Sequence, residues 1–218
     1  MDKAGWTNKE APPLADCPVL WFALHVNKYL LLVVTSLLAL SCQTAQLLDT
    51  WAVPPNYSGE PYKRLMIVGL GATPEGRGYY ENAFVDKLSN YDVLSVASIN
   101  IIPNVGDIDR EVVQSWLTEF KLDGLIVTRV TSSKPPSEYV PLHVGLGGWY
   151  DAWGLESEVV PDDEKFFLVT DLFDARSGEL RYSGVVEAKL KDGRRATTHA
   201  VIEELAKDMI ERGYFPSP

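Results

Sequence analysis

Residues 64–69 read RLMIVG, residues 91–98 read YDVLSVAS and residues 124–130 read GLIVTRV. Each run is too short for an ordinary helix. The first is a continuous apolar run, as in a strand covered on both faces, and the third is a further apolar strand. Between the first and second runs, Tyr80, Ala83, Phe84 and Leu88 recur at helical spacing. Between the second and third, Val112, Val113, Trp116, Leu117 and Phe120 share one helical face, and Asp109 is placed to cap it. A β-α-β-α-β order within so short a stretch predicts parallel strands joined by crossovers.

Residues 166–173 and 180–190 predict two more strands. In the second of these, Leu180, Tyr182, Val186, Ala188 and Leu190 are expected on one face, with Gly184 in the same register. The link Asp174-Ala175-Arg176-Ser177-Gly178-Glu179 has turn composition, so the pair predicts an antiparallel hairpin. Residues 197–212 then close the domain as a helix with two adjoining apolar rows, and Gly213 is placed to end it. The expected fold is α/β, a mixed sheet of about five strands with three helices. It spans residues 63–215.

Upstream, residues 29–40 read YLLLVVTSLLAL, an uncharged run preceded by Lys28. A bilayer-spanning helix needs about 20 apolar residues, whereas a signal peptide needs fewer. The run ends in Leu38-Ala39-Leu40-Ser41-Cys42, which resembles the bacterial lipobox, with Ala39 where leucine is usual. That resemblance implies lipidation of Cys42 as the first residue of the mature chain. A thioether-linked diacylglycerol and an N-linked acyl chain would then anchor it, each buried methylene adding about 0.8 kcal/mol. Gln43, where an aspartate would imply inner-membrane retention, implies the outer membrane and a domain facing the periplasm. Residues 1–41 are read as leader and signal peptide. Residues 1–25 carry three acids and the adjacent Pro12 and Pro13, unlike a basic leader, so Val26 is read as the true start. Residues 42–62 hold Pro54, Pro55, Gly59 and Pro61 without a sustained period and are read as a lipidated tether. Extended, such a tether reaches at most about 65–70 Å.

The formal net charge of −10 falls wholly on residues 42–218, because three acids and Lys3, Lys9 and Lys28 balance in residues 1–41. An acidic domain without a basic stripe repels phosphate backbones, which argues against nucleic-acid binding. The two cysteines are Cys17 and Cys42, and cleavage before Cys42 leaves no disulfide.

Residues 132–164 follow neither period. They carry Pro135, Pro136, Pro141 and Pro161 and the cluster GLGGWYDAWG at 145–154. Long stretches of this kind in small domains tend to be functional or disordered, and tryptophan and tyrosine are favoured in contact hot spots. Tyr139, Trp149, Tyr150 and Trp153 are therefore the candidate partner-binding residues, set against the plainer reading of a hairpin excursion packed on the domain.

No catalytic constellation is read. Residues 69–78, GLGATPEGRG, sit between a strand and a helix, where a phosphate loop would sit. Pro74 breaks the dinucleotide fingerprint and Gly76-Arg77-Gly78 is no P-loop ending, which leaves a bare anion nest or a simple turn and implies no cofactor. His143 and His199 have no cysteine or histidine at ligand spacing, and His25 lies in the leader, so no metal is expected. Asp162-Asp163-Glu164 reads as a solvated turn before it reads as a calcium site. Two alternatives to a binding role remain: a hydrolase using Asp151 and Glu156, and an anion- or ligand-sensing domain built on residues 69–78.

Three stretches, KRLMIVG at 63–69, LDGLIVTRV at 122–130 and LFDARSGEL at 172–180, make the chain similar to small Gram-negative lipoproteins. The α/β domain of those proteins resembles the N-terminal domain of the TolB periplasmic protein and the curli-secretion lipoprotein family. The resemblance covers residues 63–213. It implies a non-catalytic adaptor of the cell envelope that docks to other envelope proteins and, in some cases, to further copies of itself.

Overall fold

The computed structural model describes residues 44–52, 59–70, 73–131, 165–190 and 193–217. In chain order these form β1 (Ala45–Ala52), β2 (Arg64–Leu70), α1 (Pro74–Ser89), β3 (Leu94–Ala97), α2 (Arg110–Glu119), β4 (Gly124–Thr131), β5 (Lys165–Asp174), β6 (Leu180–Lys189) and α3 (Arg194–Glu211). The six strands make one mixed sheet in the order β1-β6-β5-β4-β2-β3. β3, β2 and β4 are mutually parallel, and β5, β6 and β1 add on antiparallel. The α/β class is as expected, with one strand more than the five anticipated.

Alternation along the strands sorts the core into two layers. Leu65 and Ile67 of β2 join Phe84 and Leu88 of α1 and Val201, Leu205 and Met209 of α3 on one face. Met66 and Val68, one position along, join Val113 and Leu117 of α2 on the other. The sheet is thus covered by α1 and α3 on one side and by α2 on the other, which is why residues 65–68 of β2 and 125–127 of β4 are apolar without a break. Asp109 caps α2 as expected, its Oδ1 accepting from the Val112 N–H at 2.8 Å.

The additional strand, β1, lies inside the stretch read as a tether. It pairs with β6 from Ala45 opposite Ala188 to Ala52 opposite Tyr182, with a register shift between Leu47 and Asp49. That irregularity breaks the period of two that would reveal a strand in sequence. A second shift, between Leu172 and Phe173 of β5, sets Leu180 opposite Phe173. Leu180 consequently joins the α2 layer rather than the face it was expected to share with Tyr182, Val186 and Ala188. A slip of one residue exchanges faces, so a bulge at the hairpin end moves only this residue.

The Asp-Gly pair before β4 is structural. The Asp123 carboxylate accepts from the N–H groups of Lys63 and Arg64 at 2.9 and 3.0 Å, tying the start of β4 to the start of β2. A Cβ on Gly124 would lie 2.7 Å from Leu65 and 2.9 Å from Tyr62.

The β5–β6 hairpin closes through Asp174. Its carboxylate accepts from the Ser177 and Arg176 N–H groups at 2.8 and 2.9 Å and from the Tyr62 hydroxyl at 3.1 Å, while Gly178 takes φ 72°. Burial alone would raise the Asp174 carboxyl, but these hydrogen bonds outweigh it and hold the group below the ordinary carboxylate range. A folded-state value below the unfolded one of about 3.9 stabilises the fold above that pH, and the contribution is lost as pH falls through the folded value. Asp174→Asn is expected to lower the urea midpoint near neutral pH, and the gap to wild type is expected to narrow as pH falls through the folded value and the Asp174 carboxyl becomes neutral. Urea titrations from neutral to acid pH check this.

Candidate functional site

β3 lies on one side of β2 and β4 on the other, so the chain order reverses at β2. In sheets of this kind the crevice outside the carboxyl ends of the strands is where ligands bind. Here the two helices of one face begin at that crevice. α1 starts with Pro74 at its first position, and its cap Thr73 accepts the Gly76 N–H on Oγ1 at 3.2 Å. Gly76, Arg77 and Gly78 belong to the first turns of this helix, which begins six residues before Tyr80, the first residue of the periodic pattern. α3 starts after Gly193 at φ 84°, with no side-chain cap and no acid in its first turn, where Arg194 and Arg195 stand instead.

Between them lies a recess of about 460 Å³. Val130, Phe166, Leu168, Leu190 and Val201 make its apolar surface. Tyr80 reaches across the sheet, its hydroxyl 2.8 Å from Thr128 Oγ1, which lies 2.9 Å from Thr170 Oγ1. Burial pushes the Tyr80 hydroxyl up, beyond any partial offset from its threonine partners, so it keeps its proton and acts as a neutral polar group. Tyr79 and Arg195 also line the recess, the Arg195 guanidinium 5.6 Å from the centre of the Tyr79 ring. The Tyr79 hydroxyl lies 2.9 Å from His199 Nε2.

The end of β2 and the first turns of α1 are tied together by a carboxylate of the chain itself. Glu81 is fully buried, and its Oε1 accepts from the Gly69 N–H, Arg77 Nε and Ser98 Oγ, each at 2.8 Å. Its Oε2 accepts the Ile99 N–H at 2.6 Å. Arg77, 2% exposed, completes the network through Nη2 to Ser98 Oγ at 2.7 Å and Nη1 to the Pro103 carbonyl at 3.4 Å. Two of the described N–H groups that an anion nest would use are taken up, Gly69 by Glu81 and Gly76 by Thr73. Through Gly69 and Arg77 the Glu81 carboxylate ties the end of β2 to the start of α1.

Cys42 lies outside the described residues, as do Tyr139, Trp149, Tyr150 and Trp153, the alternative pair Asp151 and Glu156, the run 162–164 and His143. Of the residues singled out in sequence, the structure places residues 69, 70, 73–78 and His199 at or beside the recess. The recess residues Tyr79, Tyr80, Thr128, Phe166, Arg195 and Thr198 come from four separate elements and were not singled out. The one local signal was a helix opening on two arginines. Among the described residues no group of three or more His, Cys, Asp or Glu is placed to hold a metal ion, and no helix is long and apolar enough to cross a membrane.

Fold and recess together define an α/β domain with a mixed sheet and a concavity at the carboxyl ends of its parallel strands. No family model matches the chain, and no curated protein matches it. Among solved structures, a PelC dodecamer from Paraburkholderia phytofirmans aligns with a TM-score of 0.44 at 9% identity, over 76% of this chain and 96% of that one. A single-substitution variant of the same dodecamer gives 0.43 at 10% identity, over 76% and 98%.

Proposed function

We propose that this chain is a lipid-anchored, non-catalytic binding module of the cell envelope, tethered to the outer membrane through Cys42, facing the periplasm and docking other envelope proteins. The observation that carries the binding role is the recess between α1 and α3, apolar within and lined in part by Tyr79 and Arg195. Tyrosine and arginine beside an apolar pocket are the residue types that carry most contact energy between proteins. The nearby polar groups Glu81, Arg77, Thr128 and Tyr80 are engaged with one another, so the recess suits an inserted side chain better than a reacting substrate. Leu38 to Cys42 supply the anchor, and the likeness to TolB-type envelope lipoproteins supports an adaptor role. Tyr139, Trp149, Tyr150 and Trp153 remain candidate contacts, on a segment that leaves β4 after Thr131 and returns at Lys165.

Proximity labelling in the native envelope, compared across variants, tests this reading. Cys42→Ser is expected to move the protein from the membrane to the soluble fraction. Thr198→Trp, which narrows the recess, is expected to cut labelling of specific partners roughly tenfold or more, since a lost hot-spot contact costs about 2 kcal/mol. Its unfolding transition should be retained. Partner profiles unchanged in both Thr198→Trp and the double variant Trp149→Ala/Trp153→Ala would refute the docking role, and turnover of an envelope substrate would refute the non-catalytic one.

A further inference from the structure

The strand register gathers several chain connections at one end of the sheet. Ala45, the first residue of β1, stands opposite Ala188. Lys189, the last of β6, stands opposite Lys165, the first of β5. Thr131, the last of β4, stands opposite Phe167, and Leu70, the last of β2, opposite Arg129. α1 and α3 follow β2 and β6 in the chain, and their first turns line the recess together with Val130, Phe166 and Leu190. The recess therefore belongs to the end of the sheet at which β1 begins.

That start is held firmly. The Thr44 carbonyl accepts the Lys189 N–H at 3.1 Å, and β1 is paired along its length. Cys42 precedes Thr44 by two residues. Two extended residues span at most about 7 Å, roughly a tenth of the reach that residues 43–62 would have as a free tether.

From this we infer that the end of the sheet bearing the recess is a membrane-apposed surface, held against the bilayer by the lipid on Cys42. The inference rests on the lipid-anchor reading above. The opposite end, with Asp123 and the Asp174–Glu179 hairpin, points away from the membrane, and partners are met close to the lipid surface rather than at the end of a long leash. Side chains at the apposed end suit a headgroup layer: Lys165, Lys189 and Arg194 have apolar stems with charged tips. Glu75 is the carboxylate of the recess lining, Glu187 is paired with Lys165 at 2.6 Å and Lys189 at 3.8 Å, and Asp107, Asp109 and Glu111 stand at the start of α2 at the same end of the sheet. Asp162, Asp163 and Glu164 directly precede Lys165 in the chain. Covalent reach, rather than charge, sets the orientation.

The test uses lipidated protein purified from membranes and placed in phosphatidylethanolamine/phosphatidylglycerol vesicles containing a headgroup nitroxide quencher. Acylation blocks the Cys42 thiol, so a single added cysteine carries the fluorophore: Ala196→Cys, exposed in the first turn of α3, or Arg176→Cys, exposed in the far hairpin. Quenching at position 196 is expected to exceed that at 176 several-fold. A flexible Gly/Ser insert of about fifteen residues between Gln43 and Thr44 should bring the two together. Equal quenching without the insert, or stronger quenching at 176, overturns the orientation while leaving the anchor intact. Protein that fails to float with the vesicles overturns both.

Discussion

Glu81→Ala is expected to cost about 3–5 kcal/mol of folding stability, because it leaves a guanidinium buried without its carboxylate. Arg77 is 2% exposed and loses its only carboxylate partner among the described residues. The Gly69 and Ile99 N–H groups and the Ser98 hydroxyl lose their acceptor at the same time. Each buried donor left unpaired costs about 1–3 kcal/mol. Removing both charges should be far milder than removing one, since apolar replacements of similar volume are often neutral when a buried pair is exchanged whole. Urea unfolding of Glu81→Ala, Arg77→Met and the combined Arg77→Met/Glu81→Leu variant measures this. The combined variant should recover most of the loss, with a coupling of at least about 1 kcal/mol. If the single and combined variants unfold at the same midpoint, the network does not tie the end of β2 to α1.

Deleting residues 45–52 is expected to destabilise the domain by about 4 kcal/mol or more, whereas loss of a true tether would leave it unchanged. β1 touches every apolar cluster of the described domain. Ala45, Leu47 and Ala52 pack in the α1/α3 layer, Trp51 in the α2 layer, and Leu48 against Phe167, Val169 and Val185. Full burial of a leucine-sized side chain contributes about 1.5–3 kcal/mol, and these contacts are lost together. Thr50 also accepts a hydrogen bond from Arg212 Nη2 at 2.6 Å, linking β1 to the end of α3. Deletion would further turn β6 into an open edge and expose its ladder to other chains. Thermal unfolding with light scattering should show a lower midpoint and aggregation at once. A deletion variant melting with wild type would restore the tether reading and remove the short reach from Cys42.

The amino-acid sequence by itself determined the class of fold, because the strands flanked by helices had to be apolar on both faces and the helices on one. RLMIVG, GLIVTRV and the Val112–Phe120 pattern carry that information locally, as do Asp109 as a cap and Gly213, at φ 84°, as a stop. Tertiary structure alone decided the membership of β1 in the sheet and the face taken by Leu180. In both, a register shift supplied by the partner strand breaks the local period. It also decided what meets the glycine-rich stretch. Residues 69–78 have the composition of an anion site, but the carboxylate that takes the Gly69 N–H and the Arg77 guanidinium comes from Glu81, and the serine beside it from the turn after β3. The recess is the fullest case: its lining is drawn from elements far apart in the chain, so no local pattern encodes it. Periodicity records what each segment must bury, whereas a concavity depends on where neighbouring segments end.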